Sequence, residues 1–442
     1  MNPELQRLLW LNISTLRLVL VPAIFGLVLL AAGASMGDKL PHFASVAGAI
    51  VFALFTVAGG AYSSSAAVSD ERQDDTWDQQ RMSALTPWAM TWGKLLGATV
   101  FHWYTGLICL VLMAWGMINH GQAWSDTATG LFAAILFAVF AHAINLAASV
   151  QFSGTMPRRM LWLLPLILFV VFQSSLRSYV DVNHETTQWW SLELSDRQHL
   201  LGTVILATLC GLVASWRAMA QALAVPQWPW GMPALVVLIS TYSLGYLQAV
   251  DIRGATQTVA GLSLAFAMLS AMTEAHTRSH WQRLINHFKQ GRAAKAIKAL
   301  PVWPVMLVLA ASAATVGLAT KTPPASAVDW SRMPLHLDWS SVLVIARDCA
   351  VALFFAFAPQ ARRPRLAFLT YLAIAWVIVP WLLIVLTDKA LPVQWLIPMA
   401  GKSGGSVIAA ILHFAAAASL LVWRWKETRP SPETDAAPQG QS

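Results

Sequence analysis

The chain has 442 residues, 57% hydrophobic and only 11% charged, with a formal net charge of +8. Soluble domains carry about 25% charged residues, so an ordinary soluble enzyme is excluded, and no soluble module exists on which the basic residues could form a nucleic-acid surface. The three cysteines, Cys109, Cys210 and Cys349, stand singly in apolar segments, and without a CxxC pair they indicate neither a disulfide framework nor a thiolate metal site.

In chain order, the N-terminus lacks a charged region followed by a small-residue cleavage site. The first apolar run is therefore expected to stay as a helix. Apolar runs near 16–33, 46–66, 95–118, 128–150, 160–178, 199–222, 232–250, 257–273, 302–320, 341–359, 366–386 and 404–423 predict twelve spans. Most are long enough to cross about 30 Å of hydrocarbon as helix, and isolated strands would leave their backbone groups unpaired in lipid. The expected fold is an all-α polytopic membrane protein. Pro22, Pro165 and Pro380 are expected to kink their helices. Of the 22 tryptophans, Trp88, Trp124, Trp189, Trp190, Trp228, Trp230, Trp303, Trp339 and Trp423 flank apolar runs, where their amphipathic rings suit the headgroup level. With the N-terminus inside, the inner segments hold 20 of the 29 Lys and Arg, which predicts that both termini are cytoplasmic. The tail from 427 to 442 reads as disordered.

Between the second and third runs lies SDERQDDTWDQQRMSALTPWAMTWGKLLG, residues 69–97, with five acids from Asp70 to Asp78. Asp70 to Arg81 reads as a short polar helix. Thr86 before Pro87 reads as an N-cap and an N1 proline that restart a helix at Trp88, continuing through Gly93, Lys94 and Gly97 into the third span. This knuckle resembles the first cytoplasmic loop of the type-2 ABC exporter permeases. The matching residues are Glu71-Arg72, Asp75-Thr76 where that family has Gly-Thr, Leu85-Thr86-Pro87 and Gly93-Lys94-Leu95. The mixed polar and apolar opening NPELQRLLWLNISTLR resembles the interfacial N-terminal helix of the same permeases.

The resemblance implies that 70–92 is a coupling loop docking on an ATPase subunit, present in two copies, with Glu71, Asp75, Thr76, Trp77 and Pro87 at the docking site. ATP and magnesium would sit on that partner, and this chain would bind no cofactor. Such permeases have six spans. The expected organisation is therefore a first half over 1–225, a second over 226–426 and a tail over 427–442. In the second half Glu274, Trp281 and Pro301 follow the second span as Glu71, Trp77 and Pro87 do in the first. The basic loop 274–300 is thus a second candidate coupling loop, with Glu274, Trp281 and Arg283 as its residues. The alternative is two unrelated inner loops.

Other signals carry less. GKSGGS at 401–406 has Leu396 where a P-loop needs its first glycine, and no strand precedes it. Its fit to GxSxG lacks the strand–turn–helix of a nucleophile elbow. His276, His280 and His287 share a helical face, but no carboxylate joins them and basic neighbours repel a cation, so no metal site is expected. A headgroup-facing or solvated basic helix is the reading there. His102, His142 and His413, in apolar runs, read as hydrogen-bonded packing residues. Arg347 and Asp348 lie inside a span, where a charge must face protein, a partner or water, unless the Arg snorkels. They mark a candidate translocation path.

No catalytic residue is expected. The reading is a permease subunit in the inner membrane. An ion-coupled secondary transporter, with Asp348 as carrier, and an intramembrane enzyme are the alternatives.

Overall fold

The computed structural model describes residues 2–83, 85–152, 186–225, 231–245, 252–274, 277–319, 338–358, 364–387 and 404–427. Pro165, Trp228, Trp230, His276, the start of GKSGGS and the tail from 428 lie outside the described residues. The chain is an all-α polytopic membrane protein. Among the described residues, nine helices are long and apolar enough to cross a membrane. They stand where twelve spans are expected for three reasons. The run at 160–178 is outside the described residues, the helix Gly231–Leu244 is short, and the first two runs join into one stretch, Thr15–Gln73.

The chain divides into two compact units, Met1–Thr187 with Glu193–Gln227, and Gln188–Leu192 with Trp228–Ser442. In the first, α1 (Pro3–Asn12) is capped by the Asn2 side chain and α2 (Thr15–Met36) by Ser14. Pro22 lies inside an unbroken α2. The chain reverses at Gly37, whose φ of 51° suits a residue without Cβ. Then α3 (Leu40–Val51), a π-helical stretch (Phe52–Gly59) and α4 (Gly60–Gln73) form one path. The knuckle follows as α5 (Trp77–Arg81) and α6 (Pro87–Gly97), then α7 (Val100–Asn119), α8 (Trp124–Phe152) and α9 (Asp196–Ala222). A two-stranded hairpin, Thr186–Trp189 with Leu192–Ser195, was not expected from the apolar pattern.

Thr86 caps α6 by accepting from Ala89 N–H, and Pro87 is its first residue, as the Thr-Pro pair predicts. The expected run from Trp88 straight into the third span is corrected: α6 ends at Gly97 and α7 starts afresh at Val100. At the break the Thr99 hydroxyl donates to the Leu95 carbonyl at 2.5 Å.

In the second unit the order is α10 (Gly231–Leu244), α11 (Ile252–Thr273), α12 (Arg278–Lys289), α13 (Ala293–Ala299), α14 (Val302–Ala319) and α15 (Trp339–Ala356). Then come α16 (Pro364–Ala373), a π-helical stretch (Ile374–Ile378), α17 (Val379–Thr387) and α18 (Gly404–Glu427). Its core gathers Val236, Leu264, Met306, Ala310, Val342 and Ile345. Proline explains the π stretch. Pro380 has no N–H to donate one turn back, and the neighbouring Val379 N–H reaches five residues back to Ile374 O.

Of the span-end tryptophans, Trp88, Trp124, Trp190, Trp339 and Trp423 are exposed, as an interfacial belt requires.

The contact that positions the knuckle is α1 against α6. A Cβ on Gly93 would meet the Glu4 side chain at 2.7 Å, and one on Gly97 would meet Leu8 Cβ at 2.7 Å. The two glycines, one turn apart, make a groove that receives Glu4 and Leu8, a small-xxx-small contact. We expect Gly97→Val to lift α1 off α6 and to lower stability by about 1–3 kcal/mol, the usual range for overpacking. Thermal melting of the purified protein in detergent checks this; an unchanged melting temperature would refute the groove.

Candidate functional site

Two buried polar clusters stand out, one in each unit. The first lies where the second span of the first unit meets the knuckle. Lys94, with no exposed surface, points from α6 at two carboxylates: Glu4 Oε1 at 3.0 Å and Glu71 Oε2 at 2.5 Å. Arg7 forks onto both oxygens of Glu4, at 3.0 and 2.9 Å, and reaches Glu71 Oε1 at 2.5 Å. Gln80 Nε2, from α5, donates to the same Glu71 oxygen at 2.5 Å. Two acids and two bases balance, and each carboxylate accepts several charge-assisted bonds. Burial alone would raise the Glu4 carboxyl, but hydrogen bonds and charge from Arg7 and Lys94 outweigh it and hold Glu4 below the usual carboxylate range. One cluster thus ties α1, α4, α5 and α6 together.

The expected docking residues fall on both sides of the knuckle. Glu71 and Trp77 are buried, at 7% and 8% exposure, and in this conformation they face the interior of the knuckle. Trp77 packs with Val68, Met90, Leu95 and Leu146, and Arg72 lies 5.0 Å over its ring. Thr76 donates from its backbone and hydroxyl to the Glu71 carbonyl, at 2.9 and 3.2 Å, closing the turn. Pro87 starts α6 and is partly buried. Asp75 is exposed with φ 54°, the left-handed region where glycine is favoured and Asp is tolerated. This is the position at which the resembling permeases carry glycine. The outward face of the knuckle includes Gln73, Asp74, Asp75, Asp78, Gln79, Arg81 and Met82, with Arg81 paired to Asp78 at 3.4 Å. Sequence reasoning missed Glu4 and Arg7, although their i, i+3 spacing beside a Gly93/Gly97 groove was a readable signal.

The second cluster is built on α15. Arg347 and Asp348, adjacent in sequence, pair with each other: Nε donates to Oδ1 at 2.8 Å. Tyr371 OH donates to the same oxygen at 2.8 Å and Trp376 Nε1 to Oδ2 at 2.9 Å. Arg347 Nη1 lies 3.4 Å from His413 Nδ1. Asp348 is fully buried and Arg347 nearly so, which corrects the alternative of a snorkelling Arg. Trp376 sits in the π-helical stretch, whose changed register turns its indole inward.

A third polar arrangement lines the other π stretch. His142 Nε2 lies 2.7 Å from Thr56 O and His102 Nδ1 2.8 Å from Phe55 O, so both histidines are hydrogen-bonded packing residues. Gly60 admits the His142 ring, because a Cβ there would stand 2.2 Å from it.

In the second candidate loop the residues do not gather as in the first. Glu274 Oε1 accepts the Val302 N–H at 2.8 Å and so caps α14. Trp281 stacks obliquely on Trp303 at 6.0 Å, while Arg283 is exposed. Among the described residues, no group of three or more His, Cys, Asp or Glu could hold a metal ion. No protein-family model, no curated protein and no solved structure matches the chain.

Removing Lys94 alone would strand two buried carboxylates. Lys94→Met should destabilise by about 3–5 kcal/mol, and Glu4→Gln with Glu71→Gln in the same chain should recover part of that loss. Equal melting temperatures for Lys94→Met and wild type would refute the network.

Burial pushes the Glu274 carboxyl up to about 7, against the lowering effect of the Val302 N–H. The fold then holds a proton that the unfolded chain, at 4.5, has already lost. Stability from this group is fullest below 4.5 and declines as pH rises toward about 7. Glu274→Gln should flatten that decline in melting temperature; a slope identical to wild type would exclude Glu274 as its source.

Proposed function

We propose that the chain is the membrane-spanning permease subunit of an ABC exporter in the inner membrane, driven by ATP hydrolysed on a separate ATPase. The carrying observation is the knuckle: a short helix and a capped helix between two spans, locked from beneath by Lys94 and Glu71 and presenting Asp74, Asp75 and Asp78 outward. A flexible connector needs no such bracing. A docked element that must transmit a push does, because force passes only through parts that do not yield.

The buried and exposed residues then divide the work. Asp74, Asp78 and Met82 meet the partner, with carboxylates setting orientation and register more than raw affinity. Glu71, Trp77 and Lys94 keep the knuckle rigid. Its motion is passed to α1 through Glu4 and Arg7 and to the third span through α6. Closure of two ATPase copies shifts the helices between inward-open and outward-open states, and the knuckle carries the differential binding that biases them. The Arg347–Asp348 pair, buried inside a span, supports a polar stretch of the pathway.

The ion-coupled reading would assign proton or ion carriage to Asp348. Its pairing with Arg347, and two further donors on its oxygens, favour a structural carboxylate held in place instead.

The test is recovery of the ATPase on the full-length chain. Asp74→Lys with Asp78→Lys should abolish recovery while insertion and melting temperature stay near wild type, because both side chains are exposed. Trp77→Ala should lower the melting temperature as well as recovery. Undiminished recovery with the double reversal would show that the knuckle is not the docking site.

A further inference from the structure

The helical hairpin α12–α13 is unlike the rest of the chain. From Ala275 to Ala299 it has no acid and six strong bases: Arg278, Arg283, Lys289, Arg292, Lys295 and Lys298. Trp281, Leu284, Ile285 and Phe288 recur at helical spacing and form one apolar stripe. Leu284 is buried, but Ile285 is 40% and Phe288 55% exposed, and Ile297 on α13 is 43% exposed. Arg278 and Lys289 flank the stripe on the side of Ile285, by the 100° step of a helix. An exposed apolar edge bordered by bases is the pattern of a helix lying in a bilayer interface.

Position agrees. The hairpin leaves one span at Thr273 and enters the next at Val302, so both of its ends are held at the same membrane surface. His280 Nε2, 2.8 Å from the Ala299 carbonyl, pins α12 to the end of α13, just before α14. Trp303 stands in the first turn of α14 with Trp281 against it at 6.0 Å, and tryptophan is enriched at the headgroup level. The nearest carboxylate in sequence, Glu274, is turned to the Val302 N–H.

We propose that α12–α13 is a binding hairpin for anionic phospholipid headgroups, with Ile285 and Phe288 dipped into the interface and the Lys and Arg side chains on the phosphates. Charge selects the lipid, since each basic residue near an anionic surface contributes about a fivefold gain in binding. The apolar edge, a few side chains wide, is too small to hold the hairpin on a neutral surface by itself. The hairpin would read lipid charge whether or not the chain serves an ATPase.

The experiment uses the full-length chain in nanodiscs of phosphatidylcholine, with or without phosphatidylglycerol. An environment-sensitive fluorophore is placed on Phe288→Cys, with Cys109, Cys210 and Cys349 replaced by Ala. A water-soluble quencher should reach the label in neutral discs and be excluded in anionic ones. Lys289→Gln, Arg292→Gln and Lys295→Gln together, all exposed positions, should weaken docking by roughly a hundredfold and make the label as accessible in anionic discs as in neutral ones. A melting temperature equal to wild type keeps that result from being a folding defect. Equal exclusion in both discs would mean apolar insertion without charge reading and would overturn the proposal. Equal access in both would also overturn it and leave the face to a protein partner. Hydrogen exchange over 278–299 gives the same decision without a label: slowed exchange in anionic discs alone supports the proposal, and identical exchange in both refutes it.

Discussion

Lys94 is buried away from water, and Glu4 and Glu71 both come to it. A buried ammonium is tolerated only when paired and hydrogen-bonded. This constraint orders the rest of the knuckle. Two carboxylates on one lysine need a second base, and Arg7 supplies it from α1. Arg7 can reach only if α1 lies close against α6, and α1 can lie close only because Gly93 and Gly97 remove the side chains in its way. The charge balance, the glycine groove and the helix arrangement are therefore one solution rather than three features.

The same rule recurs in the second unit with different parts. Asp348, fully buried, is met by Arg347, Tyr371 and Trp376. Trp376 faces it because the backbone ahead of Pro380 widens into π geometry. In the first unit the π stretch at Phe52–Gly59 turns carbonyls toward His102 and His142. In both units a local break of helical regularity exposes backbone or side-chain polarity, and a neighbouring helix satisfies it. Lipid offers no alternative partner, so such breaks survive only where protein packs against them.

The two loops that follow the second span of each unit differ in kind. One is acidic outside and braced inside by ion pairs. The other is basic throughout 275–299, amphipathic, and anchored by Glu274 capping α14 and by His280 on Ala299. The shared order of acid, tryptophan and proline does not carry a shared geometry. Glu71 serves four helices, whereas Glu274 serves one helix N-terminus. Opposite surface charge is what the two proposals rest on, a protein cleft for one loop and a lipid surface for the other.

Composition and apolar run length were enough to read the helical membrane fold, because hydrocarbon leaves a single chain few ways to pair its backbone. The Thr86-Pro87 restart was legible for a similar reason: capping is local chemistry within four residues. The positive φ at Asp75 is tolerated because a short polar side chain that can bond locally accepts the left-handed region. What tertiary structure alone decided is which charges are inside. Glu71, at the end of α4, and Asp78, on α5, are acids seven residues apart, yet one is buried against Arg7 and Lys94 and the other faces out. Glu4 lies 90 residues from Lys94 along the chain, and no periodicity links them. Nor does sequence reveal that adjacent Arg347 and Asp348 pair, because neighbouring helical side chains diverge by about 100° and only bending of the long Arg side chain closes the gap. Local rules determine helices, caps and spans. Desolvation of a charge depends on everything packed around it, so burial and partnership are settled only when the helices meet.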